Sequence, residues 1–178
     1  YSLSNFSSIS DGSTIMSAWT RDEVTAATNP KWQFEMQYKR DFSDDKDHFL
    51  LISALGNSFA KDQSSEFNNV PEFGESAQNN QQQTRTDFGQ ADYTFKADYT
   101  QPFGEEITLE AGGQYLINDV NNEYAISDWE GDQWVVIPEL SNTFLFKQKV
   151  LGIYSTGSYE GEKAGIKLGL RMENTDLF

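Results

Sequence analysis

The sequence contains no cysteine and a single histidine, His48. The first absence excludes a disulfide framework, a thiolate metal site and a thiol nucleophile, and it leaves the redox compartment open. Basic side chains are scarce: 13 Lys and Arg stand against 28 Asp and Glu, a net charge of −15. So acidic a chain lacks the clustered cations that a phosphate-backbone binder needs. No run of about 18 apolar residues occurs, so no segment reads as a transmembrane helix. The N-terminal dozen residues have neither a basic n-region nor an apolar core, so no signal peptide is visible. The expectation is a chain that starts in the cytoplasm, or partway through a processed or truncated protein. What is present in quantity is aromatic: 13 Phe, 8 Tyr and 4 Trp make 14% of a chain that is only 37% hydrophobic. Disordered acidic chains are poor in aromatics, so these 178 residues read as one folded domain or a piece of a larger one.

Helical periodicity is nearly absent, and period-2 alternation recurs. Over residues 31–42, Trp32, Phe34, Met36 and Tyr38 form one row and Gln33, Glu35, Gln37 and Lys39 the other. Over 91–101, Tyr93, Phe95, Ala97 and Tyr99 oppose Asp92, Thr94, Lys96, Asp98 and Thr100. Ile107, Leu109, Ala111, Gly113, Tyr115 and Ile117 form a third apolar row, and Ile166, Leu168, Leu170 and Met172 a fourth, opposite Lys167, Gly169, Arg171 and Glu173. Side chains alternate across a strand, so each segment is a ribbon with one apolar and one polar side. Residues 48–60 and 143–158 also read as strands, but both of their rows carry apolar residues. In the first, Leu50, Ile52 and Ala54 compete with Phe49, Leu51 and Leu55. In the second, Phe144, Phe146, Val150 and Tyr154 compete with Leu151 and Ile153.

Turn chemistry places hairpins at about 31–60, 91–118 and 143–176, closed by Ser43-Asp44-Asp45-Lys46-Asp47, Pro102-Phe103-Gly104-Glu105 and the stretch 159–164. The polar tracts between them, at about 8–30, 61–86 and 119–142, read as long loops. Short turns then lie at one end of the sheet and long loops at the other. A strand of about 11 residues spans about 36 Å, or about 25 Å of height at a 45° tilt, the thickness of an outer-membrane apolar band. Long strands, asymmetric loops and a dyad repeat describe a transmembrane β-barrel sheet. Trp32, Phe59, Tyr115, Phe144 and Phe146 are expected to form an aromatic girdle at the long-loop rim. Tyr38, Phe42, Phe49, Tyr99 and Phe103 are expected to form one at the short-turn rim. In that frame Phe34, Met36, Phe95, Leu168 and Leu170 face lipid, and Gln37, Lys39, Lys96, Arg171 and Glu173 face the lumen.

The expected fold class is therefore all-β: an antiparallel meander of long strands forming an arc of a large transmembrane β-barrel, residues 1–178 being a partial outer-membrane barrel domain. A small closed barrel must fill its interior with side chains, whereas inward Gln, Glu, Lys, Asp and Thr suit a wet or plugged lumen. The competing architecture is a soluble β-sandwich, whose core strands also alternate.

The segments WQFEMQYKRDFSDD, ADYTFKADYTQPFGEEITLEAGGQYLIND and SNTFLFKQKVLGIYSTGSYEGEKAGIKLGLRMENTDL resemble the barrel of TonB-dependent outer-membrane receptors of Bacteroidota. The resemblance is to those in which a carboxypeptidase-regulatory-like domain and a plug precede the barrel. Its most specific pieces are Asp98-Tyr99-Thr100-Gln101-Pro102-Phe103-Gly104, Leu109-Glu110-Ala111-Gly112 and Gly169-Leu170-Arg171-Met172-Glu173-Asn174-Thr175. It implies a barrel of roughly 22 strands, of which this chain holds about 6–8, in the bacterial outer membrane. The implied partners are membrane lipid, the remaining strands and plug, a TonB-type energy-coupling protein and an unidentified nutrient. No cofactor and no nucleic acid is implied. The chain shows no TonB box and no plug, and alone it is not expected to transport.

Candidate sites are few. Asp128, Trp129, Asp132 and Trp134 could stack on a sugar ring or hold a cation, or could be a loop folded on its own aromatics. Asp44, Asp45 and Asp47 lack the EF-hand spacing and its terminal Glu, so no metal site is expected, only a solvated turn. The run 79–83 reads as a low-complexity mobile loop. His48 borders a turn with no nucleophile pattern near it, and nothing singles out a carboxylate pair for glycoside hydrolysis among the acids. The expectation is a transporter and not an enzyme. The rivals are a soluble or surface-tethered carbohydrate-binding module and a structural barrel subunit of an outer-membrane assembly.

Overall fold

The computed structural model describes residues 2–10, 14–42, 47–74 and 81–178. The strands are β1 (Ser2–Ser10), β2 (Thr14–Thr28), β3 (Lys31–Asp41), β4 (Phe49–Phe73), β5 (Gln81–Phe103), β6 (Ile107–Glu130), β7 (Gln133–Val136), β8 (Asn142–Glu160) and β9 (Gly165–Leu177). The one helical element among the described residues is a 3-10 turn at Pro138–Leu140. One antiparallel sheet collects the strands in the order β1-β2-β4-β5-β6-β8-β9, with β3 also paired to β4 and β7 to β6. The all-β antiparallel meander expected from the alternation is what the chain forms.

The chain divides into two compact units, and the long strands contribute to both. One unit (Lys31–Phe59, Gln90–Val120 and Phe146–Phe178) carries the alternating segments. Its registers settle the two open facings. Phe34 pairs with Gly56, Met36 with Ala54 and Tyr38 with Ile52, while Gln37 pairs with Ser53 and Lys39 with Leu51. Leu50, Ile52 and Ala54 therefore share the apolar row, and Phe49, Leu51 and Leu55 share the polar one. Across β8 and β9, Ile153 pairs with Met172 and Ser155 with Leu170, while Tyr154 pairs with Arg171 and Gly152 with Glu173. Leu151 and Ile153 are thus apolar-row residues, and Val150 and Tyr154 lie on the polar row. The girdle needs four corrections, Phe144 sharing the row of Phe146 on β8. Phe49 holds Lys39 over its ring at 4.5 Å, Phe59 pairs with Lys31 out of step with Trp32, and alternation along β8 gives Phe146 the row of Tyr154. Large aromatic side chains in long strands do not all follow the apolar row.

The apolar row of this unit has no second layer among the described residues. Leu170 is 84% exposed, Leu168 and Met172 each 70%, and among the described residues Ala54 is the one buried hydrophobic side chain. A sandwich would bury those residues against a second sheet, and the described strands form a single sheet. Two glycines on the strands are covered by aromatic rings. Phe34 lies across Gly56 on the apolar face, and Tyr154 lies across Gly112 on the polar face, where an added Cβ would fall 2.6 Å from the phenol ring. Glycine in a strand offers no side chain to pack, and a neighbouring ring that fills the gap restores contact and pins register.

In the other unit (Tyr1–Pro30, Ala60–Gly89 and Asn121–Leu145), the structure corrects the loop expectation at 8–30, 61–86 and 119–142. Those tracts are largely strand. β2 pairs with β4 from Thr28↔Asp62 to Ala18↔Phe73, with one register shift at Ala18/Trp19, and β1 pairs with β2. Only Asn29 and Pro30 separate β2 from β3, and the Pro30 carbonyl still accepts the Ala60 N–H at 2.9 Å. Polar side chains run cross-strand ladders of their own: Thr25 and Ser65 hydroxyls lie 2.7 Å apart, and Arg21 Nε donates to Asn69 Oδ1 at 2.8 Å. Gln82 and Gln83, expected in a mobile loop, donate to Asp128 at 3.0 Å and to Ser64 at 3.2 Å. Alternation marks a strand only where its two faces meet different solvents. Where both faces are wet, both rows turn polar while the backbone ladder continues.

Replacing Gly56 with Ala displaces the Phe34 ring that covers it. Equilibrium unfolding in detergent should register a loss of about 1 kcal/mol. Phe34→Ala and Gly56→Ala should be non-additive, the double variant costing little more than Phe34→Ala alone.

Candidate functional site

The polar face of the alternating unit gathers most of the residues singled out above. Lys96 Nζ meets Asp98 at 2.9 Å, Arg171 Nε donates to Glu173 at 2.6 Å, Lys39 pairs with Asp41 at 2.9 Å, and Gln37 donates to Glu35 at 2.9 Å. In each case the partner is two positions along the same strand, the nearest neighbour on the same side. Tyr154 joins two of these pairs. Its hydroxyl donates to Asp98, and Lys96 Nζ and Arg171 Cζ each stand 5.8 Å from its ring. Lys96, Tyr154 and Arg171, with Gln114, Thr156, Gly169 and Leu170, line an open depression of about 410 Å³. Gln37 and Lys39 lie on β3 and do not line it.

Tyr154, Asp98 and Gln114 were not picked out from the sequence as site residues. A usable signal was the glycine set on neighbouring strands. Gly112 makes room for the Tyr154 ring, and an added Cβ at Gly152 would fall 3.3 Å from the Arg171 guanidinium. Chemically the wall offers hydrogen-bond donors and acceptors whose cations are already neutralised. Among the described residues no group of His, Cys, Asp or Glu has the arrangement to hold a metal ion.

The tryptophan cluster is a hairpin tip. Gly131 and Asp132 form a two-residue turn between Glu130 and Gln133, with Gly131 at φ 65, a left-handed conformation that suits the twist of a tight hairpin. Trp129 and Trp134 are direct cross-strand partners, their ring centroids 5.1 Å apart at 73°. An edge-to-face pair of this kind uses one ring's face on the other's edge. Asp128 accepts from Gln82 and is remote in role from Asp132, which sits exposed in the turn. So the structure brings the two rings together and leaves the two carboxylates apart. Trp134 also walls a separate depression of about 210 Å³ with Asp22, Val24, Glu66, Asn68 and Gln81, none of them foreseen. Asp44 and Asp45, weighed for calcium, lie outside the described residues.

A one-layer antiparallel sheet with a largely exposed apolar row and a charge-paired polar row is the wall of a transmembrane β-barrel. Residues 40–178 match the outer membrane protein beta-barrel family. The chain belongs to that family, which places it in the bacterial outer membrane in association with membrane lipid. No curated protein matches the chain.

Trp129→Ala and Trp134→Ala should each abolish the exciton couplet of the paired indoles in circular dichroism. A double-mutant cycle is expected to give a coupling of about 1 kcal/mol. Retention of the couplet in either single variant would show that the rings are not partners.

Proposed function

We propose that the chain is part of the barrel of a TonB-dependent nutrient receptor of a Bacteroidota bacterium, a transporter and not an enzyme. The observation that carries the reading is the polar face. A barrel closed from so few strands would pack its interior with side chains. Lys96, Tyr154 and Arg171 instead line an open depression, with Asp98 and Glu173 paired to its two cations, as suits a wide lumen holding water or a plug. In this reading Gln37, Lys39, Lys96, Arg171 and Glu173 face the lumen, and Phe34, Met36, Phe95, Leu168 and Leu170 face lipid. The strand extensions outside the membrane capture the nutrient. A plug supplied by another part of the receptor then moves when a TonB-type protein draws on inner-membrane energy. The sequence resemblance over about residues 31–177 supports the same assignment.

Two measurements test it. Lys substituted at Phe95 or Leu168 should block assembly in the outer membrane, at about 2–4 kcal/mol for a mid-depth position, while neutral substitutions at Gln37 or Lys96 are tolerated. Equal tolerance on both faces removes the facing. In cells that depend on the complete receptor for a limiting nutrient, uptake should stop when the inner-membrane potential is collapsed. Uptake that persists would leave a passive outer-membrane pore, and the TonB reading would fall.

A further inference from the structure

The short-turn end of β3 carries a cation that the rest of the unit does not explain. Lys39 and Asp41 satisfy each other at 2.9 Å on the polar row. Between them Arg40 points to the opposite side, the side of Met36 and Tyr38. Its guanidinium stands 5.2 Å from the centre of the Phe42 ring, and no carboxylate partner meets it among the described residues. The other ring packed on Phe42 is His48, with centroids 4.8 Å apart. Tyr99 closes the group at 6.0 Å from Phe42, edge to face. The Tyr99 hydroxyl donates to Gln101 Oε1 at 2.8 Å. Having one proton, it receives the His48 Nε2 hydrogen bond at 2.9 Å. The backbone bond from Phe42 N–H to the His48 carbonyl, 2.9 Å, holds the two ends of the turn together.

This arrangement differs from every other cation on the unit that meets a carboxylate. Lys96, Lys147, Lys167 and Arg171 are each within 2.9 Å of one. Arg40 is exposed, backed by aromatic rings, and set at the edge of an apolar row that belongs against hydrocarbon. A cation at that depth is costly unless it reaches an anion or water. The anions found at the boundary of a hydrocarbon layer are headgroup phosphates, and a guanidinium meets a phosphate with two parallel hydrogen bonds. In the receptor orientation proposed above the turn between β3 and β4 is periplasmic, so the lipid within reach is the phospholipid of the inner leaflet.

We propose that Arg40, Phe42, His48 and Tyr99 form a phospholipid headgroup site. Arg40 binds the phosphodiester, the three rings form the floor beneath it, and the acyl chains run along Tyr38 and Met36. The proposal rests on the lipid-facing assignment of the apolar row and is independent of what the receptor transports.

The test uses the full-length receptor purified in mild detergent, incubated with phosphatidylglycerol and examined by native mass spectrometry. Arg40→Gln should lower retained phospholipid about tenfold, as loss of a charge-assisted pair predicts. Lys149→Gln is the control. Lys149 is a cation over Phe178 at 5.3 Å with no carboxylate partner among the described residues, and its removal should leave retention unchanged. Should Arg40→Gln fail to assemble, Arg40→Lys takes its place, and a fall of severalfold is expected because an ammonium cannot form the bidentate pair. Equal retention in wild type and the Arg40 variant overturns the site, as does an equal loss in Lys149→Gln. Competition by inorganic phosphate alone, as effective as lipid, would mark a free-anion site and overturn the lipid assignment. Symmetric lipid retention alongside an intact face asymmetry at Phe95 and Gln37 sinks this site alone. Loss of that asymmetry sinks the lipid-facing assignment beneath it.

Discussion

Inside hydrocarbon no water is present to take an unpaired N–H or C=O, and each one left open costs several kcal/mol. That constraint governs this chain more than any side-chain contact. It requires long uninterrupted ladders, and the strands supply them, up to 25 residues in β4. Once the backbone is paired laterally, a hydrophobic core is unnecessary. On the facing proposed above, Leu168, Leu170 and Met172 can stand 70–84% exposed because lipid would be their solvent. The usual logic of burial is inverted: the greasy side of the sheet is its outside, and cohesion comes from hydrogen bonds running along the plane.

The ion pairs on the polar face have a different role. Their side chains are mostly two-fifths or more exposed, and such pairs contribute about 0–1 kcal/mol each. They do not hold the sheet together. Their effect is on the field. Pairing Lys96 with Asp98 and Arg171 with Glu173 removes isolated charges from the wall while keeping it wettable. A polar surface without strong local charge offers many weak, exchangeable hydrogen bonds and no deep trap for a charged solute. Tyr154 adds shape to that surface, because Gly112 beneath it lets the ring lie flat across the sheet instead of standing out from it.

How much of this was readable in the residues depends on the solvent each segment meets. Rows such as Tyr93, Phe95, Ala97, Tyr99 and Ile166, Leu168, Leu170, Met172 face one medium on one side and another on the reverse, so their alternation was explicit and the strands followed. The stretches around Ser64, Asn69, Gln82 and Glu123 carry polar residues on both rows. Nothing in their composition separates a wet strand from a loop, and the tracts at 61–86 and 119–142 were accordingly misread. In β4 and β8 both rows carry apolar residues, and only the register against β3 and β9 decides that Ile52 and Ile153 belong to the apolar side. Site residues were legible where charge stood on a clear row, as at Lys96 and Arg171. Tyr154 was not, because its contacts come from β5 and β9, a relation created by pairing and invisible along a single strand.

The strand character of the polar tracts also changes what a binding rim of such a barrel can be. A free loop of twenty residues must be ordered when a ligand arrives, at about 1–2 kcal/mol of backbone entropy per residue fixed. A paired strand has met that cost already, through folding. Thr25 against Ser65, Arg21 against Asn69 and Gln82 against Asp128 hold their side chains in place across neighbouring strands, and Trp129 on Trp134 clamps the tip of the β6–β7 hairpin. Groups displayed on these ribbons are therefore presented in fixed registers, two positions apart along a strand. Selectivity built on them comes from preorganised spacing, and affinity is spared the ordering penalty that a flexible loop incurs on binding. In the proposed receptor, exchanging residues within the β2–β4 or β6–β7 ladders would alter recognition locally, whereas a shift of one residue in register turns the whole row to the other face.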